Sequence, residues 1–272
     1  IGFGYIKDKD YMNGAIFFRA LVNINSKNIE GKFNYALCLE NIFESLINED
    51  EKKAKWFLLE STNQLETILD ISTDFFLAYY KLGYHYKYYG QFLKAKLIWN
   101  KYMKLDKDEE RMQEIRDELG LIMDDASLEQ GINYLNHGKY ELALDEFLKL
   151  VSKRQDSHNI FYLTGLALKG IGEYENAIDY FHEALELGGK SSNIYNELGI
   201  CLFNVGRAKE SIKMFNKGID INDRDYRIIF NRGLIYLQLG QRERAIEDIE
   251  IAHSLNPNDL SIERQLKQIK SN

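Results

Sequence analysis

Five histidines and two cysteines are the residues of this chain best able to bind a metal or attack a carbonyl, and their spacing fits neither task. His85, His137, His158, His182 and His253 are scattered, and none stands at a metal-ligand interval from another histidine or from a cysteine. His182-Glu183 lacks the second histidine of a zinc helix. The run Gly188-Gly189-Lys190-Ser191-Ser192 has the Gly, Lys and Ser of a phosphate loop, but the first glycine of a full G-x-x-x-x-G-K-[ST] would fall at Ala184, and no strand precedes it. It suits a turn in which Ser191 or Ser192 caps the next helix. Paired carboxylates such as Asp124-Asp125 point in different directions on a helix, which leaves no basis for general acid-base catalysis. No catalytic residue, metal site or cofactor is expected.

Binding, not bond-making, is the chemistry left, and the elements that would position it repeat. Gly131, Gly165, Gly199 and Gly233 stand 34 residues apart. Three residues after each comes Tyr134, Leu168, Leu202 or Tyr236, and seven after it Gly138, Gly172, Gly206 or Gly240, so each copy opens with a short helix that a glycine ends. Ala143, Ala177, Ser211 and Ala245 then begin a second stripe. It continues through Phe147, Phe181, Phe215 and Ile249 to Leu150, Ala184, Gly218 and Ala252, the i, i+4, i+7 spacing of one helical face. Pro257, the sole proline, falls where the second helix of the last copy should end.

At these residues the chain resembles the tetratricopeptide repeat family, whose unit is a helix-turn-helix of 34 residues with this small-aromatic signature. A further copy, Tyr79, Leu82, Gly83, Tyr86, Gly90, Ala95, Trp99 and Tyr102, precedes Gly131 by 48 residues at its Gly83. The surplus predicts an inserted short helix, with Met112, Ile115 and Leu119 on one face, that ends at Gly120. An earlier copy starts near Ala36 with Tyr35 and Leu39 and has a long second helix over roughly Glu51 to Leu69; before it, Gly2, Tyr5, Gly14, Phe18 and Leu21 repeat the pattern, so the chain is expected to begin inside a repeat. Leu260, Ile262, Leu266 and Ile269 among charged residues predict a last helix with one wet face, the polar cap such arrays need. The resemblance implies an all-α right-handed superhelical solenoid of roughly seven units. Its parts are irregular repeats over 1–107, a connector over 108–123, four regular repeats over 124–257 and a capping helix over 258–272.

In the family the first helix of each pair lines the concave side. Carried over position by position, that selects Asn193, Asn196, Glu197, Ile200, Phe203 and Asn204 in one copy and Arg227, Phe230, Asn231, Leu234, Leu237 and Gln238 in the next, a surface rich in amides. Each amide offers a donor and an acceptor, and Phe203 and Phe230 are placed to take an apolar side chain. In the copy around Gly83 the same positions are Leu77, Tyr80, Lys81, Tyr84, Lys87 and Tyr88, an aromatic wall with cations that flanking helices would cover if they pack there. Some family members clamp acidic chaperone tails with Lys, Asn and Arg; Asn231 and Arg232 match one element, but Asn196 and Ile200 stand where Lys and Asn would be needed. The implied function is a non-catalytic scaffold for a protein or peptide ligand. The alternatives are the interaction arm of an enzyme, such as a glycosyltransferase, whose catalytic domain lies upstream, and a scaffold that associates with itself.

Charge narrows the partner. With a net charge of −7 the chain lacks the basic surplus of a nucleic-acid grip. The balance is uneven: residues 1–107 carry fifteen Lys and Arg against thirteen Asp and Glu, and the rest twenty against twenty-nine. No apolar run reaches membrane-span length and nothing in the first residues reads as a secretion signal; the expectation is a cytoplasmic location, with any signal, anchor or domain upstream of Ile1 left open. Cys38 and Cys201, each two residues past the small position of a first helix, are expected as buried free thiols.

Overall fold

The computed structural model describes residues 1–271, and every regular element among them is an α-helix. The chain divides into two compact units, Ile1–Glu129 and Gln130–Asn272. The first contains α1 (Gly2–Lys7), α2 (Tyr11–Ile24), α3 (Ile29–Leu46), α4 (Glu51–Ile71), α5 (Phe76–Tyr88), α6 (Phe92–Tyr102) and most of α7 (Glu109–Asn136). Their starts are written locally: Asp10, Asn28 and Asp50 cap α2, α3 and α4 by accepting from the backbone N–H three residues on, at 3.3, 2.7 and 3.0 Å. Helix α6 has no such residue of its own. The carboxylate of Glu129 on α7 does this work from outside, accepting from Phe92 N at 3.1 Å and Leu93 N at 2.8 Å, where the helix dipole also favours an anion.

Small residues of one helix seat large residues of the next. Trp99 on α6 is fully buried against Gly83 on α5, close enough that a Cβ there would lie 2.0 Å from the indole, and its Nε1 donates to Tyr80 O at 3.1 Å. Tyr79 and Tyr86 are buried in the same cluster, as the repeat pattern requires. In the hairpin of α3 and α4, Ser61 Oγ donates to Ala36 O at 3.0 Å, the bond that Ser211 makes to Gly199 O at 2.7 Å in a regular copy. The sequence separation is 25 in the first case and 12 in the second, which measures the enlargement of that hairpin.

Helix α7 departs from expectation. The sequence predicts a short helix closed by Gly120, but α7 runs unbroken from Glu109 to Asn136, so the connector over 108–123 and the first helix of the Gly131 copy share one rod. Gly120 has no positive φ and no neighbouring atom within 4 Å of a would-be Cβ. A glycine ends a helix when it turns left-handed; where buried Ile115, Ile122 and Ala126 carry the apolar stripe past it, it costs propensity without breaking the rod.

The second unit continues from α7 with α8 (Tyr140–Val151), α9 (His158–Gly170), α10 (Tyr174–Glu186), α11 (Ser192–Asn204), α12 (Ala208–Ile221), α13 (Tyr226–Gln238), α14 (Arg242–Leu255) and α15 (Leu260–Ser271). Gly131, Gly165 and Gly199 each face a fully buried ring sixteen residues on, Phe147, Phe181 or Phe215, at distances of 2.5, 2.6 and 2.7 Å from where a Cβ would stand. Gly138, Gly172, Gly206 and Gly240 close the first helices with φ of 68°, 88°, 82° and 73°. Helix α14 stops before Pro257, and α15 covers its end with buried Ile262 and Ile269. Leu260, expected on that apolar face, is 70% exposed because it is the first residue of α15, beyond the hairpin it caps.

Candidate functional site

The exposed sides of α9, α11 and α13 carry one continuous polar run. Lys169 on α9 forms an ion pair with Glu197 Oε2 on α11. The other oxygen of Glu197 accepts from Asn196 Nδ2 at 3.1 Å, and Asn196 Oδ1 accepts from Asn231 Nδ2 on α13 at 2.8 Å. Asn231 Oδ1 is unclaimed among the described residues. A parallel bridge joins Asn193 to α13, where Arg227 Nη2 donates to Asn193 Oδ1 at 3.0 Å while its Nε donates to Asp225 at 3.0 Å. Asp225 caps α13 and accepts from buried Ser192 at 3.2 Å. Burial alone would raise the pKa of Asp225, but the hydrogen bonds and charge of Arg227 outweigh it and hold the carboxyl below its usual range.

Phe203 and Phe230 are half-buried on the hydrophobic cluster beneath this surface. Asn204 is exposed and donates to Ile200 O at 2.9 Å within its own helix, and Gln238 is exposed at the last residue of α13. Two residues of the surface lie outside the selected set. Lys169 and Tyr162 take the positions of the Gly165 copy that Phe203 and Asn196 take in the next, so the same positional rule, applied one copy earlier, reaches both. Burial, then the charge of Glu197, pushes the Tyr162 hydroxyl up to about 12.

In the first unit the aromatic wall is tied to α7. Tyr80 donates to both oxygens of Glu114, at 2.9 and 3.0 Å, Tyr84 donates to the same carboxylate, and Lys87 pairs with Glu118. Burial and then the bond to Glu114 raise the pKa of Tyr84. Tyr88 is 42% exposed and meets Phe43 edge to face at 5.1 Å. Beside them a cavity of about 290 Å³ has buried Glu40 and His85 in its lining. Glu40 accepts from Lys81 Nζ at 2.7 Å and lies 2.9 Å from His85 Nε2, whose Nδ1 is 2.9 Å from Thr62 Oγ1. Desolvation would raise the Glu40 pKa, but the bonds from His85 and Lys81 prevail and lower it. Sequence reasoning missed this triad because its members are 41 and 45 residues apart across an enlarged hairpin with no fixed period.

Cys38 and Cys201 are free and buried, and burial pushes their thiols up to about 11 and about 12. Ser191 caps α11 by accepting from Ile194 N at 3.4 Å, which accounts for the Gly-Gly-Lys-Ser-Ser run as a turn between hairpins. Among the described residues no three His, Cys, Asp or Glu side chains gather as metal ligands, and no helix is long and apolar enough to cross a membrane.

Two family models, each described as tetratricopeptide repeat, match the chain over residues 128–192, 162–226 and 226–259. No curated protein sequence matches it. Among solved structures, a chain of the APC/C hetero-tetramer Cut9-Hcn1 aligns with 95% of this chain at 15% identity and a TM-score of 0.53. This chain spans about half, 52%, of that one. The MamA protein aligns with 68% of this chain, covering 94% of its own, at 22% identity and a TM-score of 0.50. The fold these share is a helical repeat, and the glycine-on-aromatic seats, the glycine-closed first helices and the matched segments together make residues 128–259, just under half of the chain, a run of tetratricopeptide repeats.

Proposed function

We propose that the chain is a non-catalytic scaffold that holds an extended protein or peptide segment along the first-helix faces of α11 and α13. The observation that carries this reading is the amide pair Asn196–Asn231, bonded at 2.8 Å between neighbouring first helices that also carry half-buried Phe203 and Phe230, with the Asn231 carbonyl making no hydrogen bond among the described residues. Amides fixed to one another are already ordered. A ligand's backbone then bonds to groups that lose little further freedom, and the ordering cost falls on the ligand alone. Asn193, Asn204, Arg227 and Gln238 extend the polar surface at its edges, and Phe203 and Phe230 offer apolar contact to a side chain between them. The first-unit residues Tyr80, Tyr84 and Lys87 are already engaged by Glu114 and Glu118, which leaves Tyr88 as the freest member of that wall and makes the second unit the better supported half.

The test is affinity capture from the source organism's lysate by the full chain, beside a variant with Asn193→Ala, Asn196→Ala and Asn231→Ala. Each lost amide contact removes about 1 kcal/mol, so three together lower affinity by roughly a hundredfold. A protein retained by the native chain and lost by the variant, with helical circular dichroism unchanged, supports the groove. Equal retention by both overturns it.

A further inference from the structure

The stretch from Gln91 to Leu105 holds four lysines, Lys94, Lys96, Lys101 and Lys104, and no acidic residue, in a chain with 42 acidic residues against 35 basic ones. Elsewhere in the first unit Lys55 pairs with Glu51, Lys81 with Glu40 and Lys87 with Glu118, while scattered lysines such as Lys27, Lys52 and Lys53 have no ion pair among the described residues; what sets this stretch apart is that its lysines gather at one groove. None of these four has an ion-pair partner among the described residues. Three of them line a shallow groove of about 510 Å³ on the outer side of α6, with Tyr86, Leu97 and Ile98 as its apolar lining. Leu97 is 54% exposed and lies between Lys94 and Lys101 on one helical face. Lys94 Nζ sits 5.2 Å from the centre of the Tyr86 ring, which lines the groove, and Lys101 Nζ 5.9 Å from that of buried Tyr79, outside the lining. Cations gathered around an exposed leucine, none of them ion-paired among the described residues although Glu66 accepts from the Tyr86 hydroxyl at the edge of the groove, fit an anionic partner that also supplies an apolar group.

We propose that this groove docks an acidic segment of a partner protein, with one apolar side chain seated on Leu97 and Ile98 and flanking Asp or Glu carboxylates paired to Lys94, Lys101 and Lys104. Charge complementarity selects the acid, and a concave groove of this volume, with room for an apolar side chain and its neighbours, favours a discrete peptide anchor over a flat lipid surface. The site is separate from the amide face of α11 and α13 and stands whether or not that face binds.

The probe is a fluorescein-labelled peptide of alternating Glu and Ser with one central Phe, titrated with the full chain and followed by anisotropy. Saturable binding is expected, weakened by added salt. It falls about tenfold or more in a Lys94→Glu, Lys101→Glu, Lys104→Glu variant, since three exposed ion pairs are lost and reversed. It falls likewise when the probe's Glu residues become Gln or its Phe becomes Ser. A Lys94→Gln, Lys101→Gln, Lys104→Gln variant gives the same reading if charge reversal disturbs the circular dichroism. The variant with Asn193, Asn196 and Asn231 changed to Ala keeps full affinity for the probe, which separates this proposal from the groove reading. No saturable binding by the native chain, equal binding by the lysine variants, or displacement of the probe by phosphatidylserine vesicles or a single-stranded oligonucleotide that binds more tightly would overturn it.

Discussion

Gly199 shows how one residue sets the repeat. A methyl group there would stand 2.7 Å from the Phe215 ring, and Phe215 is fully buried and cannot swing away. Alanine is the better helix former by about 1 kcal/mol, so local propensity and packing oppose each other at this position. We expect packing to win: Gly199→Ala should lower stability by about 1–3 kcal/mol in urea unfolding, and a stabilised variant would mean that the ring has room to shift. This pairing was legible in the sequence because both partners recur at a fixed interval, as Gly131 with Phe147 and Gly165 with Phe181 do. Glu40, His85 and Lys81 were not legible. Their hairpin is enlarged, so no period links them, and a polar cluster of buried Glu40 and His85 with half-buried Lys81 leaves no hydrophobic signature to find. The Asn196–Asn231 bond lies between the two: the positions follow from the repeat, whereas the choice of the amides as each other's partners depends on rotamers that spacing does not fix.

At the scale of elements, α7 is the test of how glycine should be read. Gly138 and Gly206 end helices because their backbones turn to φ of 68° and 82°, while Gly120 stays helical inside a rod of 28 residues. Gly120→Ala is therefore expected to raise stability by about 1 kcal/mol, measured by thermal or urea unfolding, because the methyl group meets open space and the unfolded chain loses freedom. A helix that stopped at Gly120 would instead be destabilised by the same change. The sequence carried the apolar stripe through Leu119, Ile122 and Ala126, and that stripe outweighs a lone glycine with no proline or cap beside it. Glu129 shows the converse limit: it caps α6 from another helix, 36 and 37 residues away, and no local rule would assign it.

For the molecule as a whole, both units rest on carboxylates held below their usual range, Glu40 and Asp106 in the first and Asp225 in the second. At Asp106 the bonds from Arg111 lead, overcoming desolvation. A depressed carboxyl contributes stability that is fully present above its unfolded pKa, about 4, and is lost as pH falls through the lower folded value. The melting temperature should thus hold nearly level from pH 7 to 5 and drop below about pH 4, as followed by circular dichroism; a drop already complete at pH 5 would contradict these assignments. The helical repeat class was readable from the period, but the division after Glu129 was not, since it falls inside a continuous helix. The polar run on α9, α11 and α13 has a further consequence. Asn231 and Asn196 both pass their hydrogens toward the Glu197 anion, so their dipoles align and electron density is pushed to the free carbonyl of Asn231. On the proposed function, a strand laid on that surface would meet a polarised reader: its N–H would be favoured at Asn231 over its C=O, and the orientation of the bound chain would be chosen by a charge that it never touches.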